Sequence, residues 1–294
     1  MRPDTTKARR HEGLPGLPDR PVDGHKGMFG RVMVVGGCGE MIGAPAFAAL
    51  SALRMGCGLV KIAAPREVLS AVLAVAPEAT GLALGGVASD KRLLVAAGEA
   101  DAIVVGPGLG QSAAARKRVL ALVKLNKPMV IDADALNILA AQRAWPKGFA
   151  ARAVLTPHPG EMKRLVGLCG AGFILHRGNK VQSEACTSMA RALGQVVLLK
   201  GHRTAISDGT RLYVNHSGDS TLAKAGSGDV LSGMIGCLLA QGMGQFEAAC
   251  LAAHLHGLAG EIAGRRLGQR CALARDVIDA IPQALRRVLH EPRP

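Results

Sequence analysis

RVMVVGGCGEMIGAPAFAALSALR, residues 31–54, contains the unit from which the fold is read. An apolar, β-branched run (31–35) ends in a glycine cluster, and from Pro45 to Arg54 Ala and Leu recur at helical spacing. A strand without polar alternation is buried on both faces, and leaving it through a turn into a helix is the pattern of a parallel sheet. The same order of run, cluster and helical stretch returns at LVKIA (59–63), AIVV (102–105), PMVI (128–131), AVLT (153–156) and VVLLK (196–200). Arg116–Leu125 is one of the intervening helical stretches. TAISDGTRLYVN (204–215) breaks the alternation, because Asp208-Gly209 is a hairpin turn between two short strands. From Val230 onward the chain reads as helices. The expectation is an α/β fold with a mostly parallel sheet covered on both faces. Residues 25–294 read as a single domain behind a polar, Pro-rich flexible arm over 1–24, with no internal repeat.

Composition narrows the function classes. Aromatic residues make up only 2% of the chain, so the core has to be aliphatic, packed through small residues, and there is little material for stacking nucleic-acid bases. The net charge of +14 favours anionic partners, which with so few aromatics reads as solvated surface and attraction of nucleotides rather than a nucleic-acid surface. The seven cysteines form no C-x-x-C pair and sit mostly in apolar stretches, as reduced core residues of a cytoplasmic protein do. The N-terminus has no apolar secretory region, and no apolar run reaches the length of a membrane span.

The polar clusters fall at the strand ends. GGCGEMIG follows the first run, GPGLG (106–110) the third, DADALN (132–137) the fourth, TPHPGE (156–161) the fifth and KGHRT (200–204) the sixth. Ligands of open parallel sheets bind outside the carboxyl ends of the strands, so these clusters are expected to converge on one edge. GGCGEMIG approximates a dinucleotide fingerprint, but the next strand ends in LVKIAAP without the acid that would hold a ribose; there is also no P-loop motif.

AKAGSGDVLSGMIG (223–236) is the most informative cluster. Its glycines and a helix start suit an anion, yet Asp229 would repel one. Either Ser227 or Asp229 caps the helix, or Asp229 takes a proton from a hydroxyl that attacks a bound phosphate. Asp132 and Asp134, two apart on an extended chain, share a side and suit magnesium or a polar substrate; alternatively Asp134 caps a helix over Ala135–Ala141. Glu161 suits a water-mediated magnesium contact or a first-turn helix position. His158, between two prolines, suits a substrate contact. Lys200 suits a phosphate or a snorkelling role. His254 and His256, at i and i+2 on a helix, read as packing.

Taken in order, HKGMFGRVMVVGG (25–37), GAP (43–45), ALRMGCGLVKIAAP (52–65), VVGPGLG (104–110), VIDADALN (130–137), LTPHPGEMKRL (155–165), LLKGHRT (198–204) and LAKAGSGDVLSGMI (222–235) with HLHGLAGEIA (254–263) resemble the ADP/ATP-dependent NAD(P)H-hydrate dehydratases, a branch of the ribokinase-like superfamily. The resemblance covers roughly residues 25–285. It implies a three-layer α/β/α fold and a repair reaction: a hydroxyl on the nicotinamide ring of hydrated NADH or NADPH is phosphorylated by ADP or ATP, with Mg²⁺, and phosphate is then eliminated. It makes Asp229 the catalytic base and Gly226, Ser227 and Gly228 the anion hole. Ala44, Gly108, Gly110, Asp132, His158 and Asp229 become substrate-binding positions. Lys200, Gly201, His202, Arg203, Thr204 and Gly228 become nucleotide-binding positions, and Glu161 a magnesium-related acid. It further implies a stand-alone dehydratase with NAD(P)H-hydrate epimerase as functional partner, a homotetramer, and neither nucleic acid nor membrane as partner. The alternative within the superfamily is a kinase of the hydroxyethylthiazole or hydroxymethylpyrimidine type. The chain departs from the family's pattern at Asp219, where a Gly-Asn pair is expected, and at Cys38, where Ser is commoner; the first predicts an altered nucleotide affinity.

Overall fold

The computed structural model describes residues 14–169 and 179–290. The first thirteen residues of the expected arm lie outside the described part. Residues 14–24 lie against the body: Leu14 and Leu17 pack on the core, and Arg20 donates to the Gly56 carbonyl at 2.7 Å while stacking over Phe29.

Six of the strands are those expected from the apolar runs: β1 (Arg31–Val35), β2 (Leu59–Pro65), β4 (Ala102–Val105), β5 (Pro128–Ile131), β6 (Arg152–Leu155) and β7 (Val196–Leu199). The hairpin is β8 (Ala205–Ser207) and β9 (Leu212–Val214). One strand was not expected: β3 (Thr80–Leu84), reached through α2 (Arg66–Val75). It is an edge strand with its first two residues exposed and only one β-branched side chain, so it lacks the apolar run that marks the others. Gly81 sits under Leu69 and Leu73 of α2, whose terminal methyl groups would have to shift to admit a side chain.

The sheet runs β3-β2-β1-β4-β5-β6-β7-β8-β9, parallel from β3 to β7 and antiparallel through the hairpin. Alternating residues along the central strands feed two cores. Val34, Val104, Val130 and Val154 face one, completed by α1 (Gly43–Arg54), α2, α8 (Ser227–Ala240), α9 (Gln245–Leu267) and α10 (Ala274–His290). Met33, Ile103, Met129 and Ile131 face the other, under α3 (Val87–Glu99), α4 (Ala113–Leu122), α5 (Ala133–Ala140), α6 (Pro159–Cys169) and α7 (Asn179–Leu193). This is the three-layer α/β/α arrangement expected from the sequence.

Helix α8 is buried from Val230 to Leu239. A Cβ on Gly233 would lie 2.0 Å from the Ala48 carbonyl oxygen, so this glycine is what lets α8 and α1 touch backbone to backbone. With hardly any aromatic side chains, the helices press this closely on each other and on the sheet.

The strand order reverses between β1, whose chain continues to β2 on one side, and β4 on the other. The crevice outside the carboxyl ends at such a switch point is where open α/β sheets hold ligands. The loops after β1 and β4 meet there, with the Gly37 amide donating to the Pro107 carbonyl at 3.0 Å. The N-terminus of α8 faces the same edge further along the sheet, beside the end of β7.

Candidate functional site

The N-terminus of α8 is set by Gly226, whose φ of +89° lies in the left-handed region. Phe47 and Ala274 crowd it, so neither the backbone angle nor the space admits a side chain. No side chain caps this helix; the Ser227 amide donates to the Lys224 carbonyl at 3.3 Å, and the Gly228 and Asp229 amides follow it in the first turn, at the positive end of the helix dipole. Thus neither Ser227 nor Asp229 is the cap: Gly226 is, and Ser227 turns inward, its Oγ 3.2 Å from His256 Nε2.

Lys200 extends the line of β7 and donates to Asp132 Oδ1 at 2.8 Å. A Cβ on Gly228 would lie 3.3 Å from its Nζ, so the ammonium stands directly beside the first turn of α8. Asp132, 1% exposed, also accepts from Ser232 Oγ at 2.7 Å and from the Ala133 amide at 2.9 Å. Burial opposes its charge, but the Lys200 ammonium and these hydrogen bonds outweigh it and hold the carboxyl below its ordinary range. Burial likewise opposes the charge on Lys200, and Asp132, Glu161 and Asp229 outweigh it, raising the ammonium's pKa. The result is a fixed cation whose counter-charge lies beneath it.

Asp229, in the first turn of α8 and partly buried, behaves oppositely. Desolvation, the neighbouring negative charge of Asp132 and, less, that of Asp134 prevail over the attraction of Lys200 and push its carboxyl up to about 7. A carboxylate poised near neutrality is suited to taking and returning a proton.

Asp132 and Asp134 do not share a side. Asp132 is the N-cap of α5, in place of the alternative cap Asp134. Ala133 between them has φ +47°, left-handed for a residue with a Cβ, and this turn separates the two carboxylates. Asp132 points to Lys200, while Asp134 Oδ2 accepts the Gly110 amide at 2.8 Å and pins the loop after β4. In that loop Gly108 meets Ala44 and Met41, where a Cβ would lie 3.1 Å from the Ala44 Cβ. The substrate candidates Ala44, Gly108 and Gly110 therefore form one cluster at the switch point.

His158 and Glu161 hold each other at the start of α6. Glu161 Oε2 accepts the His158 amide at 2.8 Å, and His158 Nδ1 accepts the Gly160 amide at 2.9 Å. The His158 ring is half exposed, whereas Glu161 is 4% exposed. With one oxygen on the His158 backbone and the other 3.4 Å from its ring, Glu161 does not have the arrangement of a direct metal ligand. Among the described residues no group of three His, Cys, Asp or Glu side chains is placed to hold a metal ion.

The segment 200–204 forms a compact turn. Thr204 Oγ1 donates to the Gly201 carbonyl at 3.1 Å, Arg203 pairs with His216, and His202 is exposed. Asn215 bonds back to the Thr204 carbonyl at 2.8 Å, bringing residues 216–219 alongside. Asp219 caps a short 3₁₀ turn (Ser220–Leu222), accepting the Thr221 amide at 2.8 Å and Gln269 Nε2 at 2.9 Å. Partial burial works against its charge, but Thr221, Gln269 and Arg265 lower its pKa, so both carboxylate oxygens are engaged as acceptors.

The structure thus gathers the candidates along one edge, from the Ala44 cluster through His158 to Lys200–Thr204, with Gly226–Asp229 beside Lys200. Sequence reading did not single out Ser232, and it read His256 as packing, which its burial bears out, without its contact to Ser227. Ser232 lies three residues past Asp229, on the same helical face, which is a usable signal. His256 carries no local signal, because its partner is 29 residues away.

A family model for NAD(P)H-hydrate dehydratase matches residues 32–283. The chain is 42% identical over 250 residues to an ADP-dependent (S)-NAD(P)H-hydrate dehydratase from Neisseria meningitidis, covering 83% of this chain and 80% of that protein. It is 42% identical over 290 residues to a bifunctional NAD(P)H-hydrate repair enzyme from Moorella thermoacetica, covering 94% of this chain and 53% of that protein, so it spans about half the length of that relative. Among solved structures it resembles the ADP/ATP-dependent NAD(P)H-hydrate dehydratase from Bacillus subtilis co-crystallized with ATP and Mg²⁺, with a TM-score of 0.78 and 31% identity over 92% of this chain and 94% of that one.

Proposed function

This chain belongs to the NAD(P)H-hydrate dehydratase family, and on that premise we propose that it restores hydrated NADH and NADPH, the S epimer, at the expense of ADP or ATP. The observation that carries the reading is the pairing of Asp229, poised near neutrality, with the uncapped first turn of α8 and the Lys200 ammonium beside Gly228.

Hydroxide leaves a ring carbon poorly and phosphate leaves it well. Asp229 takes the proton of the ring hydroxyl as its oxygen attacks the terminal phosphorus of the nucleotide. The bond from that phosphorus to the bridging oxygen breaks, and the shortened nucleotide leaves. The first-turn amides of α8 over Gly226–Gly228 and the Lys200 ammonium stabilise the charge spread over the transferred group. A neighbouring ring carbon then gives up a proton to water, its C–H electron pair forms the double bond, and the C–O bond breaks as phosphate leaves with its pair. Asp132 acts through Lys200 rather than on the substrate, since it is buried beneath it. Ala44, Gly108, Gly110 and the half-exposed His158 contact the hydrate, and the turn 200–204 with Gly228 contacts the nucleotide. Magnesium travels with the nucleotide phosphates, which suit it better than a lone engaged carboxylate. The epimerase as functional partner is supported by the bifunctional name of the Moorella relative. The homotetramer and the cytoplasmic setting rest on the family resemblance; among the described residues no helix is long and apolar enough to cross a membrane. The single domain over residues 25–294 rests on the same resemblance, with residues 14–24 of the N-terminal arm lying against it.

The kinase alternative is not favoured, because the family match spans residues 32–283. The test is the near-ultraviolet absorbance of NADH, followed with hydrated NADH, Mg²⁺ and ADP or ATP added separately. Recovery with a nucleotide and none without supports the dehydratase and identifies the donor. A folded sample that accumulates a stable phosphorylated product, or does nothing, overturns it.

A further inference from the structure

Helix α9 holds the far wall of the site through a series of contacts. Ser217 Oγ donates to the His254 carbonyl at 2.8 Å, and the Gly218 amide donates to Glu261 Oε1 at 2.8 Å. The contact nearest the phosphoryl position is His256 Nε2 with Ser227 Oγ, at 3.2 Å. Both side chains are 6% exposed, so neither has water as a substitute partner. Burial, and less strongly the Lys200 ammonium, push the His256 ring down to about 4, so it is neutral at physiological pH.

The position of Ser227 gives this contact its importance. It stands between Gly226 and Gly228, two residues with no side chain to hold the turn in place. No side chain caps α8. Gly226 sets where α8 begins, and the buried hydrogen bond between Ser227 and His256 is a side-chain contact that ties its first turn to the packed helix α9. Anion holes accelerate reactions by being arranged beforehand, so the loss of that arrangement is felt in the chemical step.

We propose that His256 is a positioning residue of the phosphoryl-transfer site, fixing Ser227 and with it the direction of the amides of Gly228 and Asp229. The inference rests on the dehydratase reading for its substrate but not for its geometry.

The experiment compares His256→Leu, His256→Gln, Ser227→Ala and the double variant Ser227→Ala/His256→Leu with the unaltered protein. kcat and KM are measured on hydrated NADH, and the Kd for ADP by calorimetry. His256→Leu is expected to lower kcat about ten-fold, the scale of one buried hydrogen bond, with the KM for the hydrate within about two-fold. His256→Gln, which can still bond Ser227, recovers most of the loss, and the double variant is no slower than His256→Leu alone. Losses that multiply in the double variant, an unchanged kcat in His256→Leu, or a Gln variant as slow as the Leu one would overturn the proposal. If His256→Leu does not fold, Ser227→Ala decides: a ten-fold slower variant supports the proposal and an unaltered kcat refutes it. Should the unaltered protein leave hydrated NADH untouched, the function reading fails by itself. ADP affinity then decides the inference: a shared, non-additive weakening in the two single variants supports it, and unchanged affinity overturns it.

Discussion

Replacing Asp229 by Asn should make the protein inactive and more stable at once, and the second effect depends on pH. In the folded chain the carboxyl titrates at about 7 instead of its ordinary 3.8. Ionising it there is harder by about 4 kcal/mol than in the unfolded chain. The folded state holds the proton more tightly, so this group's contribution is fully present below pH 3.8 and lost as pH rises through 7. At about pH 8 the wild type carries the whole penalty and the Asn variant none. Partial access of water to Asp229 brings the expected gain to about 2–4 kcal/mol at that pH, shrinking to roughly a quarter of it at about pH 4.5 and vanishing only below the ordinary pKa of 3.8. The assay is urea unfolding of both proteins at the two pH values, beside turnover of hydrated NADH. An Asn variant no more stable than wild type at pH near ~8, or a gain of equal size at both pH values, would refute the account of the buried carboxyl. Turnover within about ten-fold of wild type would refute Asp229 as the base.

Other perturbations separate the parts of the site. Lys200→Met leaves Asp132 buried without its counter-charge and should destabilise the fold by about 3 kcal/mol; adding Asp132→Asn should restore most of the stability but none of the ADP affinity, as read by thermal melts and calorimetry. Gly228→Ala places a methyl 3.3 Å from Lys200 Nζ at a helical position, so the melting temperature should hold or rise while ADP binding weakens at least ten-fold; unchanged binding would move the phosphate elsewhere. Chelation with EDTA should stop nucleotide-dependent turnover yet leave the melting temperature of the nucleotide-free protein unchanged, because there is no cage of three acidic, His or Cys side chains among the described residues to empty.

Much of the fold was legible because burial on both faces leaves a plain trace. β1 and β5 begin and end with the apolar runs of residues 31–35 and 128–131. TGLAL, the edge strand β3, has one neighbour and one well-covered face, so its composition carries too little pressure to stand out. The site clusters were legible as turn-breaking polar residues after strands, but their mutual roles were not. Spacing put Asp132 and Asp134 together, and the left-handed turn at Ala133 parted them. Lys200 was visible as a cation at a strand end, whereas the carboxylate beneath it required the sheet to be assembled. Asp219, expected to alter nucleotide affinity, has its carboxylate occupied by Thr221 and Gln269.

The bonds that assemble the centre are long in sequence: Lys200 and Asp132 are 68 residues apart, Ser232 and Asp132 100 apart. Closing such loops is entropically late and slow, more so in a parallel sheet. A growing chain that has delivered β1 through the start of α6 already has its glycine loops and His158, yet has neither Lys200 nor Asp229. Asp132 would then be a buried charge waiting for both Lys200 and α8. A chain stalled before its last helices dock should therefore show no partial activity toward a nucleotide. Refolding monitored by activity should lag behind refolding monitored by helix content, the interval measuring how long α8 takes to find its place on the finished sheet.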